Sequence, residues 1–146
     1  MKNIINKSLI TNIAPLSILV LAFSIVIYII YLLIYPFNPL VVYSPISIVN
    51  TGLIKPGDKV SYRISFCKNL ETLGKTVRTL IIDDITVSSV TSDGNVKTGC
   101  TSAVAEFPIP LTAQKGKYHI DTVITYQVNV LRTVIIRYDT EDFNIV

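Results

Sequence analysis

The chain has no tryptophan, one histidine and two cysteines, and from Ser8 to Ile54 it has not a single Lys, Arg, Asp or Glu. Each shortage excludes something. His119 and two distant cysteines do not make a tetrahedral metal cage, so neither a metal nor another cofactor is expected. No serine or cysteine lies in a Gly-x-Ser-x-Gly nucleophile motif, and no glycine-rich phosphate loop is present. No cysteine precedes Cys67, which argues against a lipid-modified N-terminus. Of the 13 basic residues only Lys2 and Lys7 precede the uncharged stretch, and all 10 acidic residues follow it. The downstream part is therefore nearly neutral and has no basic cluster of the kind that phosphate-backbone binding needs, so nucleic acid is not an expected partner. No small-molecule substrate is indicated either.

What fills the uncharged stretch is apolar. Residues 13–35 read IAPLSILVLAFSIVIYIIYLLIY, which as a helix spans ~35 Å against the ~30 Å hydrocarbon core of a bilayer. Pro15 falls in the expected first turn, where its missing N–H costs little, and Pro36 and Pro39 end the helix. Tyr28, Tyr31 and Tyr35 recur at helical spacing near one end, as an interfacial aromatic belt does. Lys2 and Lys7 precede the helix and the next cation is Lys55. The positive-inside rule then places residues 1–12 in the cytoplasm and the remainder outside. The bulky exit around Tyr31–Pro36 argues for an uncleaved anchor over a signal peptide.

Beyond a proline-rich connector, 36–45, the period changes from helical to two. Leu40–Tyr43 and Ile46–Val49 are short strand candidates, and 55–58 (KPGD) has turn chemistry. Val60, Tyr62, Ile64 and Phe66 alternate with Ser61, Arg63, Ser65 and Cys67. Residues 76–82 and 85–90 are β-branched runs around Asp83-Asp84, expected to be turn or bulge carboxylates. Ser92-Asp93-Gly94-Asn95 reads as a turn, and 103–107 as a short strand. In 118–130 Tyr118, Ile120, Thr122, Ile124, Tyr126, Val128 and Val130 share one face, while His119, Asp121, Thr125, Gln127 and Asn129 share the other, with Val123 the exception. Residues 133–138 and 143–146 supply a last strand, kinked around an acidic, solvated 139–142. About seven strands at this spacing predict an all-β fold: an immunoglobulin-like antiparallel β-sandwich over 46–146, preceded by one transmembrane helix.

Gly116 and Tyr118 have the spacing of a tyrosine corner at the start of the sixth strand. In that architecture the second and fifth strands are antiparallel neighbours, which lets Cys67 and Cys100 reach disulfide distance in an oxidising compartment. Two free thiols are the alternative reading, and a Cys67 nucleophile paired with His119 would conflict with the bond. His119 alternates away from the apolar face. No catalytic residue is expected, and alternation alone nominates Arg63, Arg78, Gln127 and Asn129, with the loop 114–117, as a partner surface.

The ordered set Pro56-Gly57-Asp58, Cys67-Lys68, Gly99-Cys100, Gly116-Lys117-Tyr118 and Tyr126–Arg132 (YQVNVLR) resembles an arrangement in small single-pass membrane proteins encoded by bacteriophages. Val130 departs from it where proline is expected. The resemblance implies a viral or bacterial setting and an anchored outer domain, at the periplasmic face of an inner membrane or in a virion membrane. It implies no activity. The expected role is a non-catalytic protein-binding or structural module with the bilayer and a protein as partners. The alternatives are a modulator of the host envelope, such as one excluding a competing phage, and a periplasmic thiol/disulfide factor.

Overall fold

The structure, a computed structural model, describes residues 2–35, 38–50, 52–94 and 96–146, without the side chains of 2–14 and 44. The chain divides into two compact units, 1–35 and 36–146.

The first unit is one helix, α1 (Lys2–Ile34). It starts earlier than the expected residue 13, because residues 2–12 contain neither proline nor glycine to stop it. Pro15 is consequently inside the helix and not in its first turn. The stretch Pro15–Ile34 is long and apolar enough to cross a membrane, and none of it is buried.

Among the described residues the second unit has eight strands: β1 (Leu40–Ile48), β2 (Lys59–Lys68), β3 (Gly74–Ile82), β4 (Ile85–Gly94), β5 (Gly99–Pro108), β6 (Gly116–Asn129), β7 (Arg132–Asp139) and β8 (Phe143–Ile145). They form two antiparallel sheets, ordered β1-β2-β5 and β4-β3-β6-β7, with β8 also paired to β6. The β domain thus begins at Leu40, inside the expected connector. Ser44-Pro45 does not split β1 but sits at a register shift between Tyr43 and Ser47, because an edge strand tolerates proline at a bulge. Pro36, Phe37 and Asn95, which belong to the expected connector and turn, lie outside the described residues. Residues 92–94 continue β4, since Thr76 and Gly74 pair with Ser92 and Gly94.

Asp83-Asp84 is a two-residue hairpin turn in which both residues have positive φ, 48° and 63°. That is the backbone handedness a tight hairpin needs, and aspartate tolerates it better than most residues. The expected kinked last strand resolves into β7 and β8, which pair with the far and near parts of β6. Between them buried Thr140 accepts the Ile120 N–H at 3.0 Å, and Glu141 N–H reaches across to the Ile46 carbonyl at 3.1 Å.

Alternation decides what is buried. Val60, Tyr62, Ile64 and Phe66 of β2 meet Leu80 of β3, Phe107 of β5 and Ile120, Ile124 and Tyr126 of β6 in one core. Burying a large aliphatic or aromatic side chain stabilises by about 1.5–3 kcal/mol, so this shared core is what holds the two sheets face to face.

Candidate functional site

Cys67 and Cys100 are directly opposed in the β2–β5 register and form a disulfide. Cys100 lies within β5 and not ahead of it. Because Phe66 and Lys68 point into the core, Cys67 points out, and the bond lies on the outer face of the three-stranded sheet. Cys67 is half-buried and Cys100 exposed. The Tyr43 hydroxyl donates to Cys67 Sγ at 3.4 Å, and Ser65 Oγ donates to Ser102 Oγ at 3.1 Å two pairs further along, on the same face.

Tyr118, buried near the start of β6, donates its hydroxyl to the Gln114 carbonyl at 2.8 Å. Gly116 gives the Ile82 side chain room, since a Cβ there would stand 2.6 Å from Ile82 Cδ1. The pair therefore pins the β5–β6 connection to the rim of the core. On α1, Tyr28, Tyr31 and Tyr35 are all exposed, and the rings of Tyr31 and Tyr35 stack with centroids 5.2 Å apart.

The four nominated partner residues are not brought together. Arg63 is exposed on the outer face of β2, and Gln127 on the outer face of β6 in the other sheet. Asn129 is half-buried, with its Oδ1 accepting the Leu131 N–H at 2.9 Å to hold the β6–β7 turn. Arg78 faces inward. It shares its face of β3 with buried Thr76 and Leu80, while Val77, Thr79 and Ile81 occupy the other. Both faces of β3 carry β-branched residues, so alternation alone could not fix the phase.

The outer face of β6 carries the titratable groups. Asp121 stands opposite Asp139. Burial, and then the facing carboxylate, raise its pKa above the ordinary value. His119 Nδ1 is 3.9 Å from Asp142, which is paired with Lys117 Nζ at 2.8 Å. The hydrogen bond from Lys117 holds Asp142 below the usual carboxylate range. Among the described residues no group of three or more His, Cys, Asp or Glu could hold a metal.

Between the sheets lies a cleft of about 380 Å³. Ile64, Phe66 and Ile124 form its apolar wall, while Arg78 and Tyr138 bring polar groups into it. Behind them Tyr62 and Thr122 are both 0% exposed, and among the described residues neither their hydroxyls nor Arg78 Nε has a hydrogen-bond partner. Burial raises the Tyr62 phenol, with the nearby Arg78 guanidinium opposing it, and pushes Tyr138 up to about 12. Lys68, 2% exposed, extends this inner positive character. Its Nζ donates to the Val96 carbonyl at 2.6 Å and lies 6.0 Å from the Tyr126 ring centroid. The available sequence signal was the phase of β2, which puts Lys68 in line with Tyr62, Ile64 and Phe66.

No protein-family model and no curated protein matches the chain.

Proposed function

We propose that the chain is a single-pass membrane protein that presents an immunoglobulin-like sandwich outside the cytoplasm as a non-catalytic, protein-binding or structural module. The observation that carries this reading is the Cys67–Cys100 bond on a domain that follows an apolar helix. A stable disulfide belongs to an oxidising space, and the charge flanks of the helix lead there independently. The immunoglobulin-like assignment rests on strand order: β1-β2-β5 faces a sheet in which the third, sixth and seventh strands are joined by an extra strand beside the third. The Tyr118 hydrogen bond at the start of the sixth strand supports it. The disulfide joins neighbours within one sheet, unlike the inter-sheet bond of antibody domains. Tethering would raise the effective concentration of the module near a membrane partner. A viral or bacterial setting is proposed on the motif resemblance, with a host-envelope modulator as its variant. Capsid and tail genes beside this one would favour a virion component, and immunity genes a modulator.

The test is thiol trapping in acid-quenched cells. Cys67 and Cys100 should take up alkylating reagent only after reduction; labelling of both without reduction would place the domain in a reducing compartment and remove the proposal.

The exposure of the disulfide favours one second reading, a thiol/disulfide factor. That reading requires mild reductant to open the bond in the folded domain without denaturant, whereas a structural clamp requires denaturant first.

A further inference from the structure

We propose that the cleft between β4 and β5 receives an extended apolar peptide segment of a partner protein, which adds to the free edge of β5 and delivers one carboxylate to Arg78. This rests on the protein-binding reading above and names its site and partner chemistry.

Three observations converge. The first is the edge itself. An open strand edge invites pairing, and proteins guard such edges with proline, bulges or charge. Three of the four edges here are guarded: β1 by Pro45 and a register shift, β4 by the register shift opposite Leu80/Ile81, and β7 by Arg132, Arg137 and Asp139. β5 pairs with β2 without a register shift, and its one charge and one proline, Glu106 and Pro108, lie at its far end, so Gly99–Ala105 beside the cleft has neither.

The second is the space behind that edge. Thr101 and Ala103 face the same way as Phe66 and Ile64, their partners across β2, yet both are exposed. They line the cleft together with Ser92 and Gly94 of β4, so its mouth runs between two free edges lined by small residues. An added strand would send every second side chain into this space.

The third is charge. The inward phase of the strands carries three cations, Lys68, Arg78 and, at the start of β7, Arg132, of which Arg78 lines the cleft. All ten acidic residues lie in turns and loops or on outward faces. Arg78 has no carboxylate within ion-pair distance among the described residues; its guanidinium lies beside the Tyr62 hydroxyl, and its Nε has no hydrogen-bond partner there. A half-buried guanidinium between apolar walls is best met by a carboxylate in a forked, charge-assisted contact. A second copy of this chain fits less well, because its β5 carries no acid before Glu106, which points outward.

The probe is a synthetic peptide with valine along one face and serine or threonine along the other, and one glutamate at its central valine-face position. A counterpart carries glutamine there. Binding of each labelled peptide to the full chain in nanodiscs is followed by fluorescence anisotropy. The glutamate peptide should bind about tenfold more tightly than the glutamine peptide. Arg78→Gln should erase that preference. Ala103→Glu, which places a carboxylate in the cleft from β5, should abolish binding while strand circular dichroism and the disulfide persist. The proposal is overturned if neither peptide binds, if both bind equally, or if sodium decanoate binds through Arg78 while the peptides do not. Sidedness is a separate measurement: a reversed topology leaves peptide binding by the purified chain unchanged, and an unresponsive cleft leaves the topology unchanged.

Discussion

Tyr118 illustrates how a single residue can fasten a loop. Its ring packs in the core near Phe143, with centroids 6.3 Å apart, while its hydroxyl holds Gln114. Tyr118→Phe keeps the ring and strands a part-buried carbonyl, so urea unfolding should show a loss of about 1–2 kcal/mol. Asp121 works the other way. Its raised pKa means that the folded chain binds this proton more tightly than the unfolded chain does. Stability must then fall as pH rises through the window just above the ordinary value of 3.8. Asp121→Asn should therefore stabilise by about 0.5 kcal/mol at neutral pH, a modest figure because solvent screens the pair. Below pH 3.8 it should change little. Unfolding curves at the two pH values check both statements. Residue-scale legibility was uneven for a physical reason. Along β6 large apolar residues dominate the inner face and polar ones the outer, with only Thr122 and Val123 exchanged, so its inner set can be read directly. In β3 the inward Thr76 and Arg78 are more polar than the outward Val77 and Ile81, and only contact with the opposing sheet distinguishes the faces.

At the scale of elements, the β2–β5 pair is the clamp of the domain. Its disulfide spans a sequence separation of 33. Closing a loop of that size stabilises by roughly 3–4 kcal/mol in the chain-entropy model. A Cys67→Ser/Cys100→Ser double variant should lose a comparable amount in urea melts and become insensitive to reductant. The pairing of β3 with β6 depends on Gly74, the register partner of Tyr126, where a Cβ would stand 2.6 Å from Tyr126 Cε1. Gly74→Val should cost about 1–3 kcal/mol by overpacking, visible as a lower thermal midpoint. Strand existence was legible from period two and turn chemistry. Strand ends were not: Ser92–Gly94 has turn composition yet extends β4, because pairing with Gly74–Thr76 satisfies its backbone. The cleft was not legible either, since it depends on which strands end up at the sheet edges.

For the molecule as a whole, one apolar helix and two sheets packed on a shared core, one of them clamped by a disulfide, divide the chain into a lipid-compatible part and a water-compatible part. That division was plain in the sequence, because the 47 successive residues without charge from Ser8 to Ile54 hold one long apolar run, 13–35, that ends at Pro36 and gives way to period two. The account stands on the second part lying outside the cytoplasm, still joined to the first. The direct measurement places a protease-cleavable epitope tag after Val146 and treats intact spheroplasts with that protease. Loss of the tag from intact spheroplasts, with the remaining chain still in the membrane fraction at full length, is the predicted result. A tag protected until lysis, or a mature chain lacking residues 1–35, would contradict it.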